Sequence, residues 1–282
     1  MKPDVSVVVV NWNSGAQLRA NLDALFANMP GAWEVAVVDN RSSDGSDGFA
    51  TKRGANCHLI RNRRNRGFGA AVNQGLSKTR GPLVLIVNPH CLIEPATVST
   101  LAKALGSHDD CAVAGPRVFG DPRLGLSAFG RSSLLARLFP RAGMAPGSLS
   151  DAELERPGLA VEVDWLSGAC MLARRAALRA VGGFDERYFL YWEDADLCCR
   201  LRHAGWTVRY VPEARVQHVT GGTRRTAAPA AVRAFHDSAF LYYATHVAPG
   251  RWNPKRWMTR SLLRARCRWQ LGLRRGEDDD EA

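Results

Sequence analysis

The chain of 282 residues reads as an α/β protein, a mostly parallel sheet covered by helices on both faces and followed by a C-terminal helical extension. Three observations predict this. Short β-branched apolar runs alternate with stretches of helical spacing. Polar residues cluster just past the C-terminal end of each run, where open α/β sheets bind ligands. Beyond residue 214 the sequence turns strongly basic and helical in pattern.

The first run, Val5 to Val10, ends in the polar turn Asn11-Trp12-Asn13-Ser14-Gly15. Leu18, Leu22, Leu25 and Phe26 then give helical spacing from Ala16 to Asn28. Glu34 to Val38 is a second strand closed by Asp39-Asn40, and His58 to Arg61 a short third one. Helical spacing returns at Ala70 to Leu76, and Leu83 to Val87 is a fourth strand ending in Asn88-Pro89-His90. After a helix from Ala96 to Leu105, the stretch from Gly120 to Pro157 is irregular and rich in Gly, Pro, Ser and Leu, a functional loop or a disordered segment. Trp165 to Leu172 reads as one strand, Arg174 to Val181 and Ala195 to Ala204 as helices, and Trp206 to Val211 and Ala214 to His218 as separate extended pieces.

Hydrophobic residues at 46% and charged residues at 23% are ordinary for a globular protein. No apolar run reaches the roughly 18–20 residues a membrane-spanning helix needs, and the N-terminus lacks a signal-peptide pattern. Seven cysteines without paired spacing point to reduced thiols in the cytosol, and with no C-x-x-C a cysteine-built zinc site is not expected. The net charge of +11 is uneven: residues 215–276 carry thirteen Lys/Arg against Asp237 alone, while the tail from Glu277 to Glu281 contributes −5. An anionic partner is expected for that segment, but confinement of the charge and the lack of a stacking or zinc module argue against nucleic acid.

The densest chemistry lies between Asp185 and Asp196, where Asp185, Glu186, Glu193, Asp194 and Asp196 surround Tyr188, Phe189, Tyr191 and Trp192. Aromatics that exclude water raise a carboxylate's proton affinity and make it a better base, and flat rings beside acids suit a sugar. The competing reading is a helix start, with the acids favoured by the positive helix end. Asn65-Arg66-Gly67-Phe68-Gly69 superficially suggests a dinucleotide fingerprint. It lacks the third glycine and follows the third strand rather than the first, so a dehydrogenase is rejected.

In order, Val10 to Ser14, Val38 to Gly45, Asn65 to Asn73, Asn88-Pro89-His90, Trp165 to Ala169, Gly182 to Asp185, Glu193 to Asp196 and His218 resemble the family 2 inverting glycosyltransferases of the GT-A, Rossmann-like fold. Each motif alone is weak; their order carries the resemblance, which spans about Val5 to Gly222. Bacterial rhamnosyltransferases of cell-wall and surface-polysaccharide synthesis are the nearest group. The resemblance implies a glycosyltransferase domain over 1–222, with a nucleotide-binding half (1–115) and an acceptor half (116–222), followed by a basic region over 223–282. It implies transfer with inversion of a sugar, L-rhamnose, from a dTDP- or UDP-linked donor to a glycan or polyprenyl-diphosphate-linked acceptor. The alternative is a degenerate protein that binds nucleotide-sugar without transferring it.

Residue by residue, the resemblance makes Asp194 the general base, with Glu193 and Asp196 orienting the acceptor or its loop. Trp165, Gly168 and Trp192 fall on the acceptor side, although Trp165 also suits a core. Asn11, Asn13, Asp39, Asn40, Gly67, Asn73 and Asn88 fall on the donor side; Asp39 would bond the base or ribose, or else cap the turn at Ser42 to Gly45, and Gly67 would let backbone approach a ligand. His90 stands where the family usually has an acidic metal ligand. With His218 it implies a divalent cation, Mn²⁺ rather than Mg²⁺, since imidazole suits Mg²⁺ poorly. The glycines after Thr220 would begin a loop closing over the donor.

From Met258, the residues Met258, Leu262, Ala265, Trp269 and Leu273 fall near one helical face with arginines mostly outside it. A basic amphipathic helix over 251–275 reads as an anchor to an anionic membrane surface, placing the protein on the inner face of the cell membrane. The alternative is a helix packed on the catalytic domain or in a homodimer contact.

Overall fold

A computed structural model describes residues 3–51, 53, 54, 56–120, 128, 129, 160–219 and 224–280. The irregular stretch from Gly120 to Pro157, apart from Gly120, Ala128 and Phe129, and the glycine loop at 220–223 lie outside the described residues.

The central sheet has the order β3-β2-β1-β4-β10-β6-β11-β5, with β8 also paired to β11. Its first four strands are β1 (Val5–Asn11), β2 (Trp33–Asp39), β3 (Cys57–Arg61) and β4 (Leu83–Val87). All pair in parallel, as the alternation with α1 (Ala16–Asn28), the short α2 (Gly48–Thr51) and α3 (Phe68–Lys78) predicts. The second half is mixed. β10 (Cys170–Arg174) runs antiparallel to both β4 and β6 (Cys111–Phe119), whereas β11 (Thr207–His218) is parallel to β6. β5 (Cys91–Ile93) and β8 (Val161–Glu162) lie antiparallel on β11, and β7 (Ala128–Phe129) pairs with β9 (Trp165–Leu166) in a separate ribbon.

Two predictions are corrected here. Trp165 to Leu172 is not one strand: it breaks at Ser167–Ala169 and reverses into β10. The two extended pieces after Trp206 are one strand whose register shifts between Val211 and Arg215, around Pro212, a residue that cannot donate to a ladder. Strands β5 and β6 had no clear sequence signal.

Alternation along the strands sends side chains to two cores. Val7, Val9, Val35 and Leu85 pack with Leu18, Leu22 and Leu25 of α1 and with Leu101 of α4 (Thr97–Gly106). Val8, Ile86 and Met171 pack on the other face with Val72, with Leu178 of α5 (Arg175–Ala180) and with Leu197 and Leu201 of α6 (Glu193–His203). A third cluster joins Tyr188, Trp192 and Ala195 to Ala239 of α7 (Arg224–Tyr242) and Leu263 of α8 (Pro254–Asp280). The C-terminal region therefore shares a core with the acid-rich stretch.

At the end of β1 remote from the ligand side, buried Arg175 holds the strand starts together. Its guanidinium donates to the carbonyls of Gly81 (2.5 Å) and Leu76 (2.9 Å) and to the hydroxyls of Ser6 (2.9 Å) and Thr79 (3.0 Å). Ser6 in turn donates to Glu34 Oε1 at 2.8 Å, which also accepts from the backbone N–H groups of Arg80 and Gly81. Burial raises the Glu34 carboxyl, but these donors outweigh it and hold the group below its usual range. Arg175→Met should cost about 3–5 kcal/mol, because it leaves the buried Gly81 and Leu76 carbonyls and the Ser6 and Thr79 hydroxyls without their donor. Urea titration would read this as a lower midpoint; a loss near the 0.5 kcal/mol of an ordinary surface substitution would show the network to be dispensable.

Candidate active site

The polar residues that end β1 and β2 form one hydrogen-bonded knot. Asn11 Nδ2 donates to Asp39 Oδ1 (2.7 Å) and to the hydroxyls of Ser42 (3.1 Å) and Ser46 (2.9 Å). Asp39 Oδ1 also accepts from Ser42 Oγ at 2.6 Å, and Oδ2 accepts the Ser42 N–H at 3.0 Å. The capping expected of Asp39 is thus present, yet Oδ2 keeps acceptor capacity, since each carboxylate oxygen offers two lone pairs. Asn13, at φ 50°, bridges to the same loop: its N–H donates to Ser42 Oγ and its Oδ1 accepts the Ser43 N–H at 2.7 Å. Asn40 reaches the other way, donating to the Gly67 carbonyl at 3.1 Å and accepting from Asn62 at 2.9 Å.

Three predicted donor-side or acceptor-side residues are corrected by what they touch. A Cβ on Gly67, at φ 86°, would stand 2.3 Å from the Phe189 carbonyl, so the close approach needing glycine is to the chain's own backbone rather than to a ligand. Asn73 spends its amide on the Gly182 to Phe184 turn, accepting the Phe184 N–H and donating to the Phe184 carbonyl, both at 2.9 Å. Asp196 is not on the acceptor side: its side chain is 1% exposed, bonded at 2.7 Å to both Arg200 Nε and His246 Nε2.

Trp192 is likewise no sugar platform. It is buried against Phe235 (5.8 Å between centroids) and Tyr242 (5.3 Å). Trp165 is part-buried between the second and third cores, which favours its core role. The aromatics that do reach solvent in this region are Trp12, Phe189 and Tyr191. Tyr191 and Trp192 both have φ 68°, a left-handed conformation strained for bulky residues. The backbone bend places Tyr191 outward and Trp192 inward just ahead of α6.

Asp194 stands in the first turn of α6, half-buried. Its Oδ2 accepts the Gly168 N–H at 3.0 Å and its Oδ1 the Ala195 N–H at 2.7 Å. Gly168 belongs to the reversal between β9 and β10, and a Cβ there would meet the Phe68 ring at 3.2 Å. One residue on, the Ala169 carbonyl accepts the Asn88 N–H at 2.8 Å. The same turn thus touches Asn88-Pro89-His90 on one side and Asp194 on the other. Glu193 is buried beside it. Asp185 instead pairs with Arg187; burial pulls its carboxyl up, but the guanidinium and the Arg187 N–H hold it below its usual range.

The structure also brings His90 and His218 together. Cys91 and His218 are opposed across β5 and β11, the Val219 N–H donates to the His90 carbonyl at 2.8 Å, and the two rings lie 6.0 Å apart. Among the described residues no carboxylate completes a group of three potential ligands with them.

The model for "Glycosyltransferase like family 2" matches residues 3–234. The chain belongs to this family. As a family 2 glycosyltransferase it is 31% identical, over 92% of its length and 90% of the relative's, to N-acetylglucosaminyl-diphospho-decaprenol L-rhamnosyltransferase of Mycobacterium tuberculosis. Its fold is of the GT-A type. A mannosyltransferase of Pyrobaculum calidifontis, solved with GDP-Man and Mn²⁺, superposes with a TM-score of 0.62 at 17% identity, covering 96% of this chain and 73% of that one. GalNAc-T7, solved with UDP, GalNAc and Mn²⁺, gives 0.63 at 17% identity, covering 86% and 50%. Sequence reasoning missed Ser46, whose hydroxyl accepts from Asn11 and donates to Asp44. It also missed His246, which no local pattern marks.

Proposed function

We propose that the protein transfers L-rhamnose, with inversion, from a dTDP- or UDP-linked donor to a polyprenyl-diphosphate-linked or related glycan acceptor. The observation that carries this is the Asp194 carboxylate, aimed by the Gly168 N–H at the N-terminus of α6. The M. tuberculosis relative, named for rhamnosyl transfer to a decaprenyl-diphosphate-linked sugar, supports the donor and acceptor classes. Asp194 takes the proton of the acceptor hydroxyl as its oxygen bonds to the anomeric carbon. The bond from that carbon to the diphosphate oxygen breaks on the opposite face, and the electron pair leaves with the nucleoside diphosphate. Asp39, at the carboxyl end of the parallel strands, accepts a ribose hydroxyl through Oδ2, a reading supported by the acceptor capacity that oxygen keeps beside the Ser42 N–H.

His90 and His218 fit a divalent cation only as a partial ligand set, two imidazoles to which donor phosphate oxygens would add the rest. That donor set suits Mn²⁺ better than Mg²⁺. When bound, the ion would neutralise charge on the leaving diphosphate.

Two outcomes test this reading. Asp194→Asn keeps the Gly168 contact but not the basicity, so kcat should fall about 10²–10⁴-fold with nucleotide affinity within a few-fold; near-normal turnover removes Asp194 from the role. In a thermal-shift panel of dTDP-, UDP- and GDP-sugars with Mn²⁺, Mg²⁺ or chelator, Mn²⁺ should deepen stabilisation by a dTDP- or UDP-sugar, and His90→Ala should abolish that increment. An equal increment in wild type and variant excludes His90 as a ligand.

We also infer that α8 lies on an anionic membrane surface. Among the described residues no helix is long and apolar enough to cross a membrane. Instead α8 packs on α7 through Leu263, and its Arg256 and Arg260 lie over the Phe240 ring. Of the predicted apolar arc, Met258 is 59%, Leu262 63% and Trp269 64% exposed, and Trp252 just before the helix is 84% exposed; the Leu273 side chain lies outside the described residues. Lys255, Arg264 and Arg268 are exposed around them, and cations and apolar side chains on one outward face complement anionic headgroups. With α8 as anchor, the enzyme works peripherally on the inner face of the cell membrane, beside a lipid-linked acceptor. Replacing Met258, Leu262 and Trp269 by Ser should lower co-sedimentation with anionic vesicles at least about tenfold without changing thermal stability. Equal sedimentation, or a change in oligomeric state instead, overturns the anchor.

A further inference from the structure

Sugar transfer as described makes no use of Cys199, His203 or His246. Cys199 and His203 are four residues apart on α6, which puts them on one helix face. His246 arrives from the π-helical turn Tyr243–Val247 that follows α7, an irregularity common at functional positions. Cys199 Sγ lies 3.6 Å from His246 Nδ1 and 4.0 Å from His203 Nδ1. One ligand atom from each of the three residues falls within 4.8 Å of the others. Thiolate and imidazole ligands of a tetrahedral zinc ion stand about 3.5 Å apart, given their usual bond lengths. The three donors need little movement to meet one ion.

The surroundings of His246 strengthen the case. Its other nitrogen, Nε2, lies 2.7 Å from Asp196 Oδ1, and Asp196 is itself fixed by Arg200 Nε at 2.7 Å. A carboxylate behind an imidazole sets the tautomer and turns the opposite nitrogen toward a metal, the usual outer layer of a histidine-ligated site. Without an ion the pocket holds its own proton. The bond to Asp196, then that to Cys199, lift His246 to about 9. Burial pushes the Cys199 thiol up, but His246 outweighs it and brings the thiol below its ordinary value. The other buried thiols go the opposite way, Cys91 to about 12 and Cys111 to about 11, because burial is unopposed by such a partner. Cys199 is thus the thiol whose surroundings ease loss of its proton, and metal binding takes the deprotonated form.

We propose that Cys199, His203 and His246 form a zinc site that staples the π-helical turn after α7 to α6, with a solvent water as fourth ligand on the side of exposed His203. Thiolate and imidazole favour Zn²⁺ over the harder Mn²⁺ or Mg²⁺, so this site is chemically distinct from the His90 and His218 pair. Zn²⁺ takes the place of the proton between Nδ1 of His246 and Sγ of Cys199, and that proton leaves to solvent. Because α6 begins with Glu193 and Asp194, the ion fixes the helix that carries the base against the C-terminal helices.

The test uses the full chain, stripped of metal, with Co²⁺ and then Zn²⁺ as probes. Co²⁺ should produce a thiolate-to-cobalt charge-transfer band in the near ultraviolet with about one equivalent, and Zn²⁺ should bleach it. Cys199→Ser should remove the band, and His203→Ala, on an exposed side chain, should weaken binding at least about tenfold. Zn²⁺ should raise the Tm of wild type by several degrees and leave Cys199→Ser unmoved. No band in wild type, a band that survives Cys199→Ser, or an equal zinc-induced shift in both proteins would each overturn the site. None of these readouts depends on sugar transfer.

Discussion

The N–H of Gly168 and the carboxylate of Asp194 make the contact on which the active-site geometry turns. It exists because the chain reverses at Ser167–Ala169 and sends β10 antiparallel between β4 and β6. A parallel strand there would enter from the far end of the sheet, and the Ser167–Ala169 turn that precedes it would lie away from the ligand edge. The reversal instead puts three consecutive residues where the Ala169 carbonyl holds Asn88 and the Gly168 amide holds Asp194. In the proposed mechanism, leaving-group side and base side are therefore both referenced to one short piece of backbone. The N-terminal position on α6 adds a favourable helix field for the ionised carboxylate.

The two ends of β1 use buried polar groups in opposite ways. At the remote end, Ser6, Glu34, Thr79 and Arg175 are bonded to one another and to backbone, which closes the sheet. At the ligand end, Asn11, Asp39, Ser42 and Ser46 are bonded just as densely, but Asp39 Oδ2 retains room for one more donor. Buried polar groups are costly unless paired. The first cluster is complete by itself, and the second is left open to one further donor, as the proposed ribose contact requires.

The parallel half was legible because β-branched runs buried on both faces are hard to mistake, and each ended at polar residues that do lie together. The mixed half was not. Cys111–Phe119 contains Gly115 and Pro116, Cys91–Ile93 is only three residues long, and the bulge near Pro212 split one strand into two in the sequence. For the site, reading acids by proximity in sequence overreached. A helix turns about 100° per residue, so Asp194 and Asp196 point roughly 200° apart and cannot share a cleft. Asp194 faces Gly168, and Asp196 faces inward to Arg200 and His246. The same geometry separates Tyr191 from Trp192 once both adopt positive φ, a conformation no composition rule forecasts for aromatics. His90 and His218 were found only because an ordered set of motifs named them; no spacing relates them.

The third hydrophobic cluster has a consequence for how this enzyme can be divided. Tyr188, Trp192 and Ala195 bury their surfaces against Ala239 and Leu263, which belong to α7 and α8. A fragment ending ahead of α7 would bare an indole and a phenol directly before the helix that bears Asp194. With nothing to hold the left-handed pair at 191 and 192, the bend would unwind toward ordinary dihedrals and carry the carboxylate with it. The tail helices are thus a brace for the proposed reaction centre, and a graft onto another transferase scaffold would have to include them.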